Sequence, residues 1–178
     1  NFVIIPEYKK TDPEIYKNGI IIGRVSTIRP AENILSTHYN TLSKLNCILA
    51  SIEANKLKYD EGIMNDPHGN ISTCNSTNLF FIKKSQVWTS TGEFCLNGIT
   101  RSKAIKVCHM NDIPCNETNF TFEDIKDCEE AFVTGTFAGI IPVSKIEKFA
   151  LSSTNSNSLV NKIRASYNQY INQEIASQ

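Results

Sequence analysis

Leu96-Asn97-Gly98-Ile99-Thr100-Arg101 is the stretch from which the fold is read outward. A glycine followed by the helix-forming run Thr100 to Met110 marks a turn that opens a helix. Thr100 can cap that helix, and Ile105 and Val107 supply its apolar contacts. The first N–H groups of a helix have no partner inside it and carry the positive end of its dipole, so a phosphate can sit on Ile99 and Thr100. An ordinary glycine turn with a threonine cap reads the same way. A second pair, Gly135-Thr136, ends the β-like run Ala131 to Thr134. It offers another hydroxyl and N–H to the same anion, or is a plain strand-end turn.

Upstream, Leu42, Leu45, Ile48, Leu49, Ile52 and Leu57 recur at three and four residues, which predicts a helix over 42–58 with these side chains on its buried face. Before it, Asn18 to Ile28 is rich in β-branched residues and reads as a strand ending at Pro30, with 30–38 as a connection. Between the two helices, short β-like runs at 62–64, 70–72, 78–83 and 87–89 are separated by the turns Asp66-Pro67-His68-Gly69 and Lys84-Ser85-Gln86, a meander. Ile113-Pro114 stops the second helix. Thr121 and Asp124 open a short one, and the polar stretch 152–158 leads to a last amphipathic helix over 159–171. Short strands mixed with helices, without strict βαβ alternation, give an α+β domain.

Composition narrows the function. Lys+Arg and Asp+Glu both total 18 in 178 residues, so no net basic field gathers nucleic acid or anionic lipid. The apolar runs 20–22 and 138–143 are far shorter than the roughly 18 residues of a membrane span. Asn1 to Lys10 lacks a secretory pattern, which makes the cytoplasm the expected compartment. The six cysteines form no Cys-x-x-Cys and the three histidines are scattered, so no metal site is expected and the thiols read as reduced, mostly buried hydrophobes. Four Asn-x-Ser/Thr triplets begin at Asn70, Asn75, Asn116 and Asn119, as chance allows in an Asn-rich chain.

From about Leu42 to Val143 the motifs Leu-Asn-x-Ile-Leu-Ala-x-Ile-Glu-Ala, Asn-x-x-Asn-Leu-Phe, Trp-Thr, Leu-Asn-Gly-Ile-Thr-Arg, Ile-Pro, Glu-Ala-Phe-Val-Thr-Gly-Thr and Pro-Val follow in an order that resembles the class IV aminotransferases. These are fold-type IV pyridoxal-phosphate (PLP) enzymes and include branched-chain and D-amino acid aminotransferases and aminodeoxychorismate lyase. The resemblance implies the large domain of the D-amino acid aminotransferase-like fold, a pseudo-barrel of mixed strands with flanking helices, over 37–178. Residues 1–36 would be a remnant of the small N-terminal domain and the interdomain connection. It further implies PLP as cofactor, an amino acid and a 2-oxo acid as substrates, and a homodimer. Leu96 matches the leucine on the cofactor ring, Ile99, Thr100 and Thr136 match the phosphate cup, and Phe137 and Ala138 match the substrate pocket. Arg101 belongs to the motif as a structural residue pairing with a carboxylate.

Two positions depart from the pattern. PLP chemistry needs a lysine to hold the cofactor as a Schiff base and shuttle a proton, and the family's lysine position is Asn40 here. Lys44, four residues on, is the Schiff-base candidate, one helical turn away; a solvated helix lysine is the other reading. The family's glutamate, which keeps the pyridine nitrogen protonated, is replaced by Thr73, whose hydroxyl can hydrogen-bond but not hold that charge. Arg24 and Arg29 are candidate anion contacts or surface charges on an edge strand. The reading is therefore a PLP-dependent aminotransferase, with a lyase of the aminodeoxychorismate type, or a catalytically degenerate binding or structural protein, as alternatives.

Overall fold

A computed structural model describes residues 3–8 and 10–177 of the chain. In chain order its elements are α1 (Glu14–Asn18), β1 (Ile20–Arg24), α2 (Leu45–Lys56), β2 (Glu61–Asn65), β3 (Ile71–Cys74), β4 (Asn78–Lys83), β5 (Gln86–Thr89), α3 (Ile99–Met110), β6 (Cys115–Glu117), α4 (Phe122–Ile125), β7 (Glu130–Gly135), β8 (Gly139–Ile146), β9 (Phe149–Ala150) and α5 (Leu159–Ala176).

The apolar run Leu79-Phe80-Phe81-Ile82 organises the core, because successive side chains of a strand point to opposite faces. Leu79 and Phe81 join Ile22, Ile63, Val133, Val143 and Phe120 on one side. Phe80 and Ile82 join Ala104 and Cys108 of α3 and Val160 and Ile163 of α5 on the other. A strand covered on both faces needs no polar alternation, which is why this segment reads as a continuous hydrophobic run. The sheet runs in the order β3-β2-β1-β8-β7-β4-β5-β6, with β9 beside β8. Parallel pairs β1–β2 and β1–β8 and antiparallel pairs such as β4–β7 confirm a mixed α+β sheet. β1 is an interior strand of this sheet, and its Ile22 packs in the same core as Ile63 and Val143.

Several expectations are corrected. The strand foreseen over 18–28 stops at Arg24 because the next polar groups turn to α2: the N–H groups of Ser26 and Thr27 donate to the Glu53 carboxylate at 2.6 and 3.2 Å. The first long helix is shorter, 45–56, and its leucine and isoleucine face is not buried. Leu42 is 100% and Leu45 67% exposed, while the small residues Ala50 and Ala54 face the core with Val25 and Met64. Periodicity reveals an apolar face but not what covers it. Thr100 does not cap α3: Gly98 occupies the N-cap position in extended conformation and no side chain caps the helix. The longest strand, β8, was not foreseen, since Pro142 interrupts its pattern. α4 does carry the expected capping box between Thr121 and Asp124. All six cysteines are free, four buried and two partly so. No helix among the described residues is long and apolar enough to cross a membrane.

Candidate functional site

The twenty residues 25–44 between β1 and α2 contain neither helix nor strand. Loops of this length inside a compact domain commonly carry function. This one forms one wall of a cavity of about 120 Å³, and the ends of β3 and β4 with their connection form the other. Asn40, Lys44, Thr73 and Leu96 all line it, four residues that are separate in sequence. The expected helical turn between the two is absent, since α2 begins only at Leu45, but the Lys44 ammonium donates to Asn40 Oδ1 at 2.8 Å and is thereby held against the residue at the expected lysine position. Both side chains remain exposed to water.

The opposite wall is built around Glu61. Burial raises its carboxyl above the usual range, against hydrogen bonds from Ser76 and Thr77 that favour the ionised form. Those bonds fix the turn 75–77, and Asn75 Oδ1 accepts the Gly62 N–H at 2.6 Å. The Thr73 hydroxyl donates to the Thr77 carbonyl at 2.8 Å. Its proton is thereby committed, and its oxygen also accepts from the Asn78 amide at 3.5 Å. Cys74, at the head of the same turn, is fully buried and its thiol is pushed well above its ordinary value by that burial, so it offers no thiolate.

Ile99, Thr100, Thr136, Phe137 and Ala138 do not line the cavity, and Ala138 lines a separate pocket with Tyr16, Ile140, Arg164 and Asn168. Asn78 is the shared piece. Its amide donates to Leu96 O at 3.0 Å, its ladder partner in β7 is Thr134, and a Cβ on Gly98 would lie 2.8 Å from its Oδ1. Gly135 in turn faces Thr77, 3.4 Å from the position of an added Cβ. The start of α3 and the end of β7 therefore flank one asparagine at one end of the sheet. Thr100 is 5% exposed there, whereas Ile99 and Phe137 are exposed. The Ala138 carbonyl accepts from the Tyr16 hydroxyl at 2.8 Å, which ties the 136–138 loop to α1. Arg101 is buried and pairs with Glu117 at 2.7 Å.

One lining residue was undervalued by its sequence context. Arg29 is 8% exposed, not a surface charge, and lines the cavity. Its Nε donates to Phe94 O at 3.0 Å and one terminal nitrogen donates to Asn46 Oδ1 at 3.2 Å and Cys47 Sγ at 3.1 Å. No motif surrounds it, and its role exists only because the chain folds back over α2. Arg24, by contrast, stays at the surface over the Phe122 ring and near Glu147. Ser36 and Thr37 also line the cavity, each with a buried hydroxyl lacking a partner among the described residues.

The donor set can be tested against a phosphorylated pyridine cofactor. The uncapped start of α3, with a glycine where a side chain would collide and a buried threonine beside it, suits a phosphate. A primary amine, Lys44, reaches the cavity. The lining carries Arg29 and Lys44 and no carboxylate, which suits an anionic ligand but leaves a pyridine nitrogen without an acid to hold its proton. The phosphate and amine ends fit, and the ring-nitrogen end is neutral.

A profile of the class IV amino-transferases matches residues 1–146. The Arabidopsis thaliana branched-chain-amino-acid aminotransferase-like protein 2 is 31% identical over 169 residues, which cover 93% of this chain and 29% of that protein. The branched-chain aminotransferase of the archaeon Thermoproteus uzoniensis, solved with norvaline, is 28% identical, with a TM-score of 0.80 over 86% of this chain and 51% of its own. An aminotransferase from Brucella abortus bound to PLP, at 23% identity, shares the fold with a TM-score of 0.82 over 90% of this chain and 57% of its own. The chain thus spans well under two thirds of each of these relatives.

Proposed function

The chain belongs to the class IV amino-transferase family, and from that membership we propose that it is the cofactor-holding part of a PLP-dependent aminotransferase, with Lys44 in place of the lysine missing at Asn40. The observation that carries this reading is the 2.8 Å bond from Lys44 Nζ to Asn40 Oδ1 at the wall of a cavity that Thr73 and Leu96 also line. Bound there, PLP supplies an electron-accepting ring for moving an amino group between an amino acid, of branched-chain or D-amino acid type, and a 2-oxo acid.

The residues divide the work by position. Lys44 Nζ would be the residue that holds the cofactor and would carry the substrate's α-proton, tasks for which Asn40 orients it. Ile99 and Thr100 at the start of α3 would receive the phosphate, with Thr136, two residues past the Thr134 that pairs with Asn78. Leu96 covers the ring and excludes water from its face. Thr73, its proton spent on the Thr77 carbonyl, could only accept from a protonated ring nitrogen and would do nothing to hold that proton. Phe137 and Ala138 border the substrate, held by the bond from Tyr16. Residues 1–36 would be a remnant of a smaller N-terminal domain and its connection, with β1 built into the sheet of the larger one. The proposed assembly is a cytoplasmic homodimer, supported by the uncovered leucine and isoleucine stripe of α2.

A second reading, a family member that binds a phosphate compound without catalysis, is favoured by one observation: no carboxylate lines the cavity. Borohydride reduction of the protein incubated with PLP, followed by peptide mapping, separates the two. Label on Lys44, lost in Lys44→Ala with the fold intact, upholds the enzyme. Absence of label on any lysine, together with absence of a visible absorption band, leaves the binding protein.

A further inference from the structure

Behind the cavity wall that carries the turn 75–77 stands a carboxylate, one hydroxyl removed from the surface. Ser76 lines the cavity and is an exposed residue, whereas Glu61 is buried and is not part of the lining. The Ser76 hydroxyl donates to Glu61 Oε1. The Ser76 N–H and the Thr77 hydroxyl donate to Glu61 Oε2, at 3.1 and 3.3 Å. The groups that favour the charged form of Glu61 thus belong to this turn, and neither is a cation that would cancel its charge. That charge is felt at the turn, since after burial it is the next cause that raises the Cys74 thiol.

A hydroxyl that gives its proton to a carboxylate keeps its lone pairs and accepts more strongly, because hydrogen bonds in series polarise one another. A negative charge within about 4–6 Å of a titratable group favours the protonated form of a base. Thr73 lacks this support, because its proton goes to the neutral carbonyl of Thr77. The two walls of the cavity also differ in what they offer. Lys44 stands on the loop wall, and in the PLP ring the carbon that joins a lysine lies directly opposite the nitrogen. A ring held from Lys44 therefore turns its nitrogen toward the wall of Thr73 and the 75–77 turn.

We propose that Ser76 is the ring-nitrogen contact of this site and that Glu61, acting through Ser76, is the positioning residue that keeps the nitrogen protonated. The carboxylate absent at Thr73 is replaced by one standing a hydroxyl further back. This assignment rests on the cofactor reading above.

The experiment uses pyridoxine 5'-phosphate labelled with nitrogen-15 in its ring. This probe carries an alcohol in place of the aldehyde, so it binds without a covalent bond to any lysine. Its ring-nitrogen resonance, read on the saturated protein at neutral pH, gives the ratio of protonated to neutral ring. The ratio should be higher on the parent protein than in free solution. Ser76→Ala, an exposed turn substitution that leaves the phosphate end and Lys44 untouched, should lower it about ten-fold, the equivalent of one pKa unit. Glu61→Gln should lower it by about the same factor, and the double variant no further. Ser76→Thr, which keeps the hydroxyl, should restore the parent ratio, a rescue that a merely structural role for Ser76 does not predict. Equal ratios in the parent, Ser76→Ala and Glu61→Gln, or a fall confined to Thr73→Ala, would overturn the assignment and leave the cofactor reading standing. Failure of the parent to bind the probe at about 1 mM would overturn both.

Discussion

The two helices α2 and α3 have the same length, 12 residues, and opposite situations. α3 buries Thr100, Arg101, Ala104, Val107 and Cys108 against the sheet and α5, so its environment is complete within this chain. α2 buries only Ala50 and Ala54, and turns Leu45, Ile48, Leu49 and Ile52 outward at the spacing of a single stripe. The same hydrophobic periodicity thus serves two ends. In α3 it makes a core, while in α2 it leaves an apolar surface that monomeric proteins seldom leave contiguous and bare.

The comparison breaks most sharply under matched charge substitutions. Val107→Asp places a carboxylate at a fully buried position of α3 and should destabilise the fold by at least about 4 kcal/mol, seen as collapse of the denaturation midpoint. Ile48→Asp at a 51% exposed position of α2 should cost about 1 kcal/mol or less and instead turn a dimer into a monomer by analytical ultracentrifugation. Equal destabilisation by both would mean that α2 is covered within the monomer. A smaller effect is expected at the start of α3. Gly98→Ala drives a methyl toward Asn78 Oδ1 and should lower stability by about 1–2 kcal/mol, with partial recovery in Asn78→Ser. The two substitutions should therefore be non-additive in urea denaturation.

The smallest effect is one of pH. Glu61 has its carboxyl raised above the ordinary 4.5 by burial. A carboxyl raised in the folded state contributes stability that is complete below its ordinary value and is lost as pH rises through the folded value. Glu61→Gln should accordingly gain on the parent as pH climbs from 4.5 upward, with the difference constant below that range. An unchanging difference across the range would show that Glu61 is solvated like any surface carboxylate.

What could be read in the sequence followed local physics. β4 was legible to the residue because its aromatic and β-branched run has no helical period, and the Thr121–Asp124 box because capping is a matter of four adjacent residues. The family motifs led to Lys44, Asn40, Thr73 and Leu96, which meet at one cavity. Arg29, Ser36 and Thr37 were illegible as wall residues. Their positions depend on where an irregular segment of twenty residues crosses α2, a long-range outcome with no local pattern. The outward turn of the α2 stripe was equally hidden, since the choice between Leu45 and Ala50 as the inward side is made by Val25, just past β1, and Met64 of β2.

Glu53 couples these regions. From the middle of α2 its carboxylate accepts the N–H and hydroxyl groups of both Ser26 and Thr27, two residues before Arg29, whose guanidinium in turn grips Asn46 and Cys47 of the same helix. Helix and loop are thereby fastened at two points. A body docking on the outer side of α2 would strain the lining of the cavity on its inner side. Thermodynamic reciprocity then requires that a ligand filling the cavity alter the strength of that docking by the same factor.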